Sequence, residues 1–128
     1  MDVPGYSGHT ILIAEDDNLN YSLFYTSLRK TGVKILHAEN GKQAIDLCRE
    51  HPEIDLIIMD GMMPVMNGFD ATRQIRMFRP DVPIILLTAY VSSASIHGAV
   101  ESGCNDYLSK PISQETLQTT LQKWLIKK

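Results

Sequence analysis

A parallel β-sheet covered by helices on both faces is the fold class this sequence predicts, and three observations predict it. Short apolar runs rich in β-branched residues alternate five times with segments of helical spacing. Those runs carry no polar alternation, which fits strands buried on both faces. Parallel neighbours need long crossovers, and helix-length segments sit where the crossovers belong. The chain has 128 residues, enough for one core and too few for two ordinary domains.

The elements follow in order. Residues 1–9 carry Pro4-Gly5 and Ser7-Gly8 with little apolar content and are expected to be a linker or flexible N-terminus, leaving 10–128 as the domain. Strands are expected over Thr10–Ala14, Val33–Ala38, Ile54–Met59, Pro83–Thr88 and Asp106–Ser109. Between them, Leu19, Leu23, Phe24 and Leu28 fall on one helical face, and Ala44, Ile45, Leu47 and Cys48 on another. Phe69, Ala71, Thr72, Ile75 and Arg76 mark a third helix, Ile96, Ala99 and Val100 a fourth, and Leu117, Leu121, Trp124 and Leu125 the last. Asn18, Asn40 and Ser113 are suitable N-caps, with Gln43 completing a capping-box pattern after Asn40. Gly32 and Gly103 stand where helices must stop and the chain reverse.

Composition excludes several function classes. Charged residues make up 21% and the formal net charge is −3, with no Lys/Arg cluster longer than a pair, so direct nucleic-acid binding has little support. Apolar runs are too short to span a membrane, and the N-terminus lacks the form of a signal peptide. Two cysteines, Cys48 and Cys104, suit a reducing cytoplasm and not a disulfide framework. Neither a Walker A sequence nor G-x-G-x-x-G occurs, which argues against nucleotide binding. His9, His37, His51 and His97 lack metal-ligand spacing and are expected to be structural or surface residues.

The chemistry concentrates at strand ends. Asp60 follows the apolar run Leu56–Met59, Glu15, Asp16 and Asp17 follow Ile11–Ala14, Thr88 and Ala89 follow Ile84–Leu87, and Lys110 follows Asp106–Ser109. In open α/β sheets the carboxyl edge is where ligands bind. Adjacent carboxylates repel if buried together, so they need a cation or raised pKa values. Magnesium takes hard oxygen ligands and keeps several waters, so one or two carboxylates plus a backbone carbonyl suffice. The plainer account, a solvated acidic turn that favours the following helix N-terminus, loses ground once Asp60 is placed at a neighbouring strand end. A carboxylate can attack a phosphoryl group whose charge is neutralised by a metal, by the Lys110 ammonium and by donors from the Thr88 hydroxyl and Ala89 N–H.

Four stretches in order carry a resemblance over about Thr10 to Lys127: ILIAEDDNLN (11–20), DLIIMDGMMPVMNGFDATRQIR (55–76), PIILLTAY (83–90) and SGCNDYLSKPI (102–112). The sequence resembles the receiver domain of two-component response regulators, and within that family the receivers of hybrid sensor histidine kinases. The resemblance implies a flavodoxin-like, doubly wound (βα)5 fold with strand order 2-1-3-4-5, an order of which a receiver domain is a known example. It implies Asp60 as phospho-acceptor, Asp16, Asp60 and the Met62 backbone carbonyl as Mg²⁺ ligands with Glu15 acting indirectly, and Mn²⁺ as an admissible substitute. Thr88, Ala89 and Lys110 would then hold the phosphoryl group, the Lys110–Pro111 bond would be cis, and Thr88 with Tyr107 would form the switch. Met62 and Tyr90 would flank the path of hydrolytic water. Tyr21 and Tyr25, at helical spacing, are a candidate docking patch.

The function so implied is a cytoplasmic phosphorelay receiver that catalyses only its own phosphorylation and dephosphorylation. Its expected partners are a histidine kinase's phosphohistidine domain, a histidine phosphotransfer protein, or both. Neither nucleic acid nor direct membrane contact is expected, and the chain would be a monomer or weak dimer. A free-standing single-domain regulator is the alternative to a hybrid-kinase origin. An aspartate-nucleophile phosphohydrolase is disfavoured because Asp60-Gly61-Met62 lacks a second aspartate and no cap-sized insertion exists. A scaffold with a degenerate site is disfavoured by the complete set of site residues.

Overall fold

In the computed structural model, which describes residues 5–89 and 91–126, five parallel strands form one sheet. The strands are β1 (Thr10–Ala14), β2 (Lys34–Ala38), β3 (Leu56–Asp60), β4 (Ile84–Thr88) and β5 (Asp106–Ser109), in order β2-β1-β3-β4-β5. The connecting helices are α1 (Asn18–Leu28), α2 (Gly41–Glu50), α3 (Gly68–Phe78) and α4 (Ser93–Ser102), and α5 (Gln114–Leu121) follows β5. A π-helical stretch, Gln122–Ile126, extends α5. No helix among the described residues is long and apolar enough to cross a membrane.

Alternation along each inner strand explains why the sequence shows none. Leu12, Ala14, Ile57, Met59, Ile84 and Leu86 pack on one side, with Ala44 and Cys48 of α2, Ala71 and Ile75 of α3 and Ala99 of α4. Ile11, Ile13, Leu56, Ile58, Ile85 and Leu87 point the other way, onto Phe24 and Leu28 of α1 and Leu117 and Leu121 of α5. Both faces are buried, so every position along β1, β3 and β4 is fully covered. Being at the edges, β2 and β5 are only partly covered. Parallel register aligns Ala14 with Ala38 and Met59, Asp60 with Leu87, and Thr88 with Ser109. The carboxyl ends of the strands therefore share one edge of the sheet.

Local signals were mostly sound, with corrections at two helix starts and on two helix faces. The N-cap of α1 is Asp17, not Asn18, because the Asp17 carboxylate accepts the Asn20 N–H at 3.0 Å and leaves Asn18 as the first helical residue. Asn40 and Ser113 do cap α2 and α5. Gln43, however, accepts from the Glu39 N–H at 2.8 Å, so its side chain reaches one residue before the cap. Gly32 and Gly103 adopt left-handed φ of 83° and 89° and end their helical turns. The stripe expected on α1 splits: Phe24 and Leu28 are buried, whereas Leu19 and Leu23 stand 70% and 61% exposed. On α4, Ala99 is buried while Ile96 and Val100 face solvent.

Of residues 1–9, Met1 to Pro4 lie outside the described residues, and Tyr6 is not linker. Its side chain is fully buried in the core cluster that includes Leu28, Val33 and Leu125, and its N–H donates to the Thr31 carbonyl at 2.8 Å. A phenol ring has enough apolar area to override the Pro, Gly and Ser residues around it.

Candidate functional site

Each loop at the carboxyl edge is tied to its neighbour through the backbone. The Glu15 N–H donates to the Ala38 carbonyl at 2.9 Å, Gly61 N–H to Leu87 at 2.8 Å, and Lys110 N–H to Thr88 at 2.6 Å. Gly68, the first residue of α3, donates to the Gly61 carbonyl at 2.9 Å. It lies so close that a Cβ there would meet the Asp60 carbonyl oxygen at 2.1 Å. In the loop between β5 and α5 the Lys110–Pro111 bond is cis, as the resemblance implies.

These ties bring the expected acids together. Carboxylate oxygens of Glu15, Asp16 and Asp60 lie within 4.8 Å of one another. Glu15 and Asp60 are buried and Asp16 is exposed. Asp17, the third acid of the triplet, turns away to cap α1, and its N–H donates to Glu15 Oε2 at 3.2 Å. Lys110 Nζ stands 3.1 Å from Glu15 Oε1 and donates to Asp60 Oδ2 at 3.1 Å. The Met62 N–H donates to Asp60 Oδ1 at 3.3 Å. Thr88 is buried at the end of β4, and Ala89 next to it is exposed.

Electrostatics set the chemistry. Burial, then the charge of Asp60, pushes the Glu15 carboxyl above its ordinary value, against the smaller pull of the Asp17 N–H and of Lys110. Burial by itself would lower the Lys110 ammonium; the hydrogen bond to Asp60 and the charges of Asp60 and Glu15 outweigh it and raise the value. Three carboxylates thus face one ammonium, an imbalance that a divalent cation would correct. The donors are all oxygen, which suits Mg²⁺.

Around this centre the remaining candidates are distributed as follows. Met62 is 72% exposed beside Asp60, and Tyr90 lies outside the described residues. Tyr107 is half-buried, and its hydroxyl donates to Ser95 Oγ at 2.6 Å. Ser95 also completes a capping box with Ser92 at the start of α4, a pairing of two serines three residues apart that is visible in the sequence. Tyr25 is 44% exposed. Tyr21 is half-buried and stacks on His37 at 3.6 Å, so only one member of the aromatic pair is open to a partner. An open groove of about 590 Å³ runs between α1 and the start of α5, lined by Leu23, Phe24, Lys110, Pro111, Ile112 and Leu117.

The chain belongs to the response regulator receiver domain family, which matches residues 11–122. It is 36% identical over 115 residues to the transcriptional regulatory protein ZraR of Klebsiella oxytoca, covering 90% of this chain and 26% of that protein. It is 35% identical over 125 residues to the hybrid signal transduction histidine kinase I of Dictyostelium discoideum, covering 91% of this chain and 7% of that protein. The chain therefore spans only a small part of these relatives. Among solved structures it is similar to the receiver domain of the sensor histidine kinase PA1611 of Pseudomonas aeruginosa PAO1, at TM-score 0.86 and 36% identity over 94% of this chain and 100% of that one. That structure has a magnesium ion coordinated in its active site cleft. A further similarity is to the Saccharomyces cerevisiae co-crystal structure of the histidine phosphotransfer protein Ypd1 with the receiver domain of its downstream response regulator Ssk1. The TM-score there is 0.85 with 33% identity, covering 92% of this chain and 89% of that one.

Proposed function

We propose that Asp60 accepts a phosphoryl group from a protein phosphohistidine and that the domain switches or relays a signal through the resulting change in its contacts. One observation carries this reading: a buried carboxylate at a strand end, held between the Lys110 ammonium and the Met62 N–H, with two further carboxylates beside it. One Asp60 carboxylate oxygen attacks phosphorus, the P–N bond to the donor imidazole breaks, and the electron pair returns to that ring nitrogen. Asp16, Asp60 and the Met62 carbonyl would hold Mg²⁺, with Glu15 acting indirectly; when bound, the ion would supply positive charge that neutralises the negative charge of the transfer. Lys110 leaves its place on Asp60 to pair with a phosphoryl oxygen, and the Thr88 hydroxyl and Ala89 N–H donate to another. Burial of Asp60 and Glu15 limits the competing water around these charges.

The partner we propose is a helical phosphotransfer protein or the phosphohistidine domain of a kinase. Exposed Leu19, Leu23 and Tyr25 on α1, beside the groove that opens next to Lys110, support it. The relationship to hybrid kinases supports a receiver excised from such a chain. Incubation with acetyl phosphate and Mg²⁺, followed by intact mass, is expected to show one added phosphoryl group in the wild type and none in Asp60→Asn. Addition to Asp60→Asn would overturn the assignment.

The phosphorylated state is proposed to be long-lived. Met62 places an exposed thioether beside Asp60, and that side chain offers no carboxylate or amide to orient water. Combining Met62→Asn with Tyr90→Glu is therefore expected to speed decay of the phosphorylated protein several-fold; an unchanged rate would dismiss the shielding.

A further inference from the structure

Resting on the cation site proposed above, we infer that His37 is a positioning residue for that site, acting through the backbone of the acidic turn and not by touching the ion. Ladder pairing between β1 and β2 ends at Ala14 and Ala38. Beyond it, both backbone polar groups of Glu15 are still held by β2: its N–H by the Ala38 carbonyl at 2.9 Å, and its carbonyl by His37 Nε2 at 2.8 Å. Nε2 must carry a proton to donate there, which it does in the protonated ring and in one neutral tautomer. That carbonyl belongs to the Glu15–Asp16 peptide, whose plane sets the direction in which Asp16 leaves the strand. Asp16 is the exposed member of the acid cluster, so it depends on its backbone, more than on packing, to meet Glu15 and Asp60.

The imidazole is itself fixed. Tyr21 stacks on it with ring centres 3.6 Å apart and planes 12° from parallel. The Tyr21 N–H in turn donates to the Asp17 carbonyl at 2.9 Å, and the Asp17 N–H to Glu15 Oε2. A closed circuit results, running from Glu15 through the acidic turn into α1, across the two rings, and back to Glu15. The half-buried ring pair lies beside the exposed Tyr25, with 6.2 Å between the two tyrosine ring centres. A partner seated on α1 would therefore press on the circuit that orients Asp16.

Calorimetric Mg²⁺ titration tests this without reference to phosphorylation. His37→Phe keeps a flat ring against Tyr21 and deletes the donor; His37→Gln keeps an N–H donor and deletes the ring. We expect His37→Phe to bind Mg²⁺ roughly three- to tenfold more weakly, the loss of one hydrogen bond, and His37→Gln to recover most of that loss. The metal-free melting midpoint of His37→Phe is expected to stay near that of the wild type, since a general structural role would move it. Equal affinity in His37→Phe, or a loss that His37→Gln does not recover, overturns the inference. Should His37→Phe not fold, His37→Leu, which also lacks the donor to the Glu15 carbonyl, takes its place, and wild-type affinity there overturns the inference. No Mg²⁺ binding by the wild type would instead remove the site itself, and the role of His37 with it.

Discussion

Gly68→Ala is expected to destabilise the domain by about 3 kcal/mol, the upper end of what overpacking usually costs. The added Cβ would sit 2.1 Å from the Asp60 carbonyl oxygen and 2.8 Å from Met59 Cγ. The first of these is backbone, so no rotamer change relieves it. Relief requires α3 to retreat, which stretches the Gly68–Gly61 hydrogen bond, or the turn after β3 to shift, which carries Asp60 with it. Stability in urea and phosphoryl uptake are therefore expected to fall together. Gly98→Ala is the control. A Cβ at Gly98 meets only Phe69 ring carbons at 3.6 and 3.7 Å, inside α4, where alanine is the better helix former by about 1 kcal/mol. A Gly68→Ala protein as stable as the wild type would show that the turn beneath Asp60 is not tightly packed.

The second large effect concerns charge. Burial raises the folded Glu15 value above its unfolded one, so the folded chain holds that proton more tightly. Stability from this group is then fully present below the unfolded value and is lost as pH rises through the folded one. Glutamine carries no such cost. In chelator, Glu15→Gln is expected to melt a few degrees above the wild type at neutral pH, the gap shrinking as pH falls. Lys110 does not reverse the sign, because its bond to Asp60 remains in the variant. Adding Mg²⁺ is expected to stabilise the wild type more than Glu15→Gln, since the cation relieves a repulsion that the variant has already lost. Melting curves across pH, with and without Mg²⁺, check both halves. Identical midpoints at every pH would mean that the buried Glu15 charge has no net cost.

Much of this was legible in the sequence because the inner strands bury both faces. A run such as Leu56–Met59 has one physical explanation in a chain this short, and the groups that follow such runs must meet at one edge. Asp60, Glu15, Asp16 and Lys110 were found that way. Thr88 was found that way too, whereas Tyr107 was named by resemblance, which did not reveal the bond from Tyr107 to Ser95. The stripe on α1 is narrower than its spacing suggests: successive helical residues are turned about 100° from one another, so Leu23 and, one turn before it, Leu19 stand exposed while Phe24 and Leu28 are buried. His37 was passed over because spacing tests look for ligands. Its contacts, one to a backbone carbonyl and one to a ring on another element, leave no pattern along the chain.

Tyr6 changes where the folding unit begins. The family match starts at residue 11, yet the ring five residues earlier is fully buried in the core cluster that includes Leu28, Val33 and Leu125. A chain cut at Ile11 would open a cavity there and strip the Thr31 carbonyl of its donor. Tyr6 is in effect a plug at the end of the sheet remote from Asp60, its backbone tied to Thr31 and its ring held by fit, since its buried hydroxyl has no hydrogen-bond partner among the described residues. Whatever is joined ahead of it inherits a rigid point of attachment, so motion upstream reaches the domain as a tug on its core and not as slack in a tether.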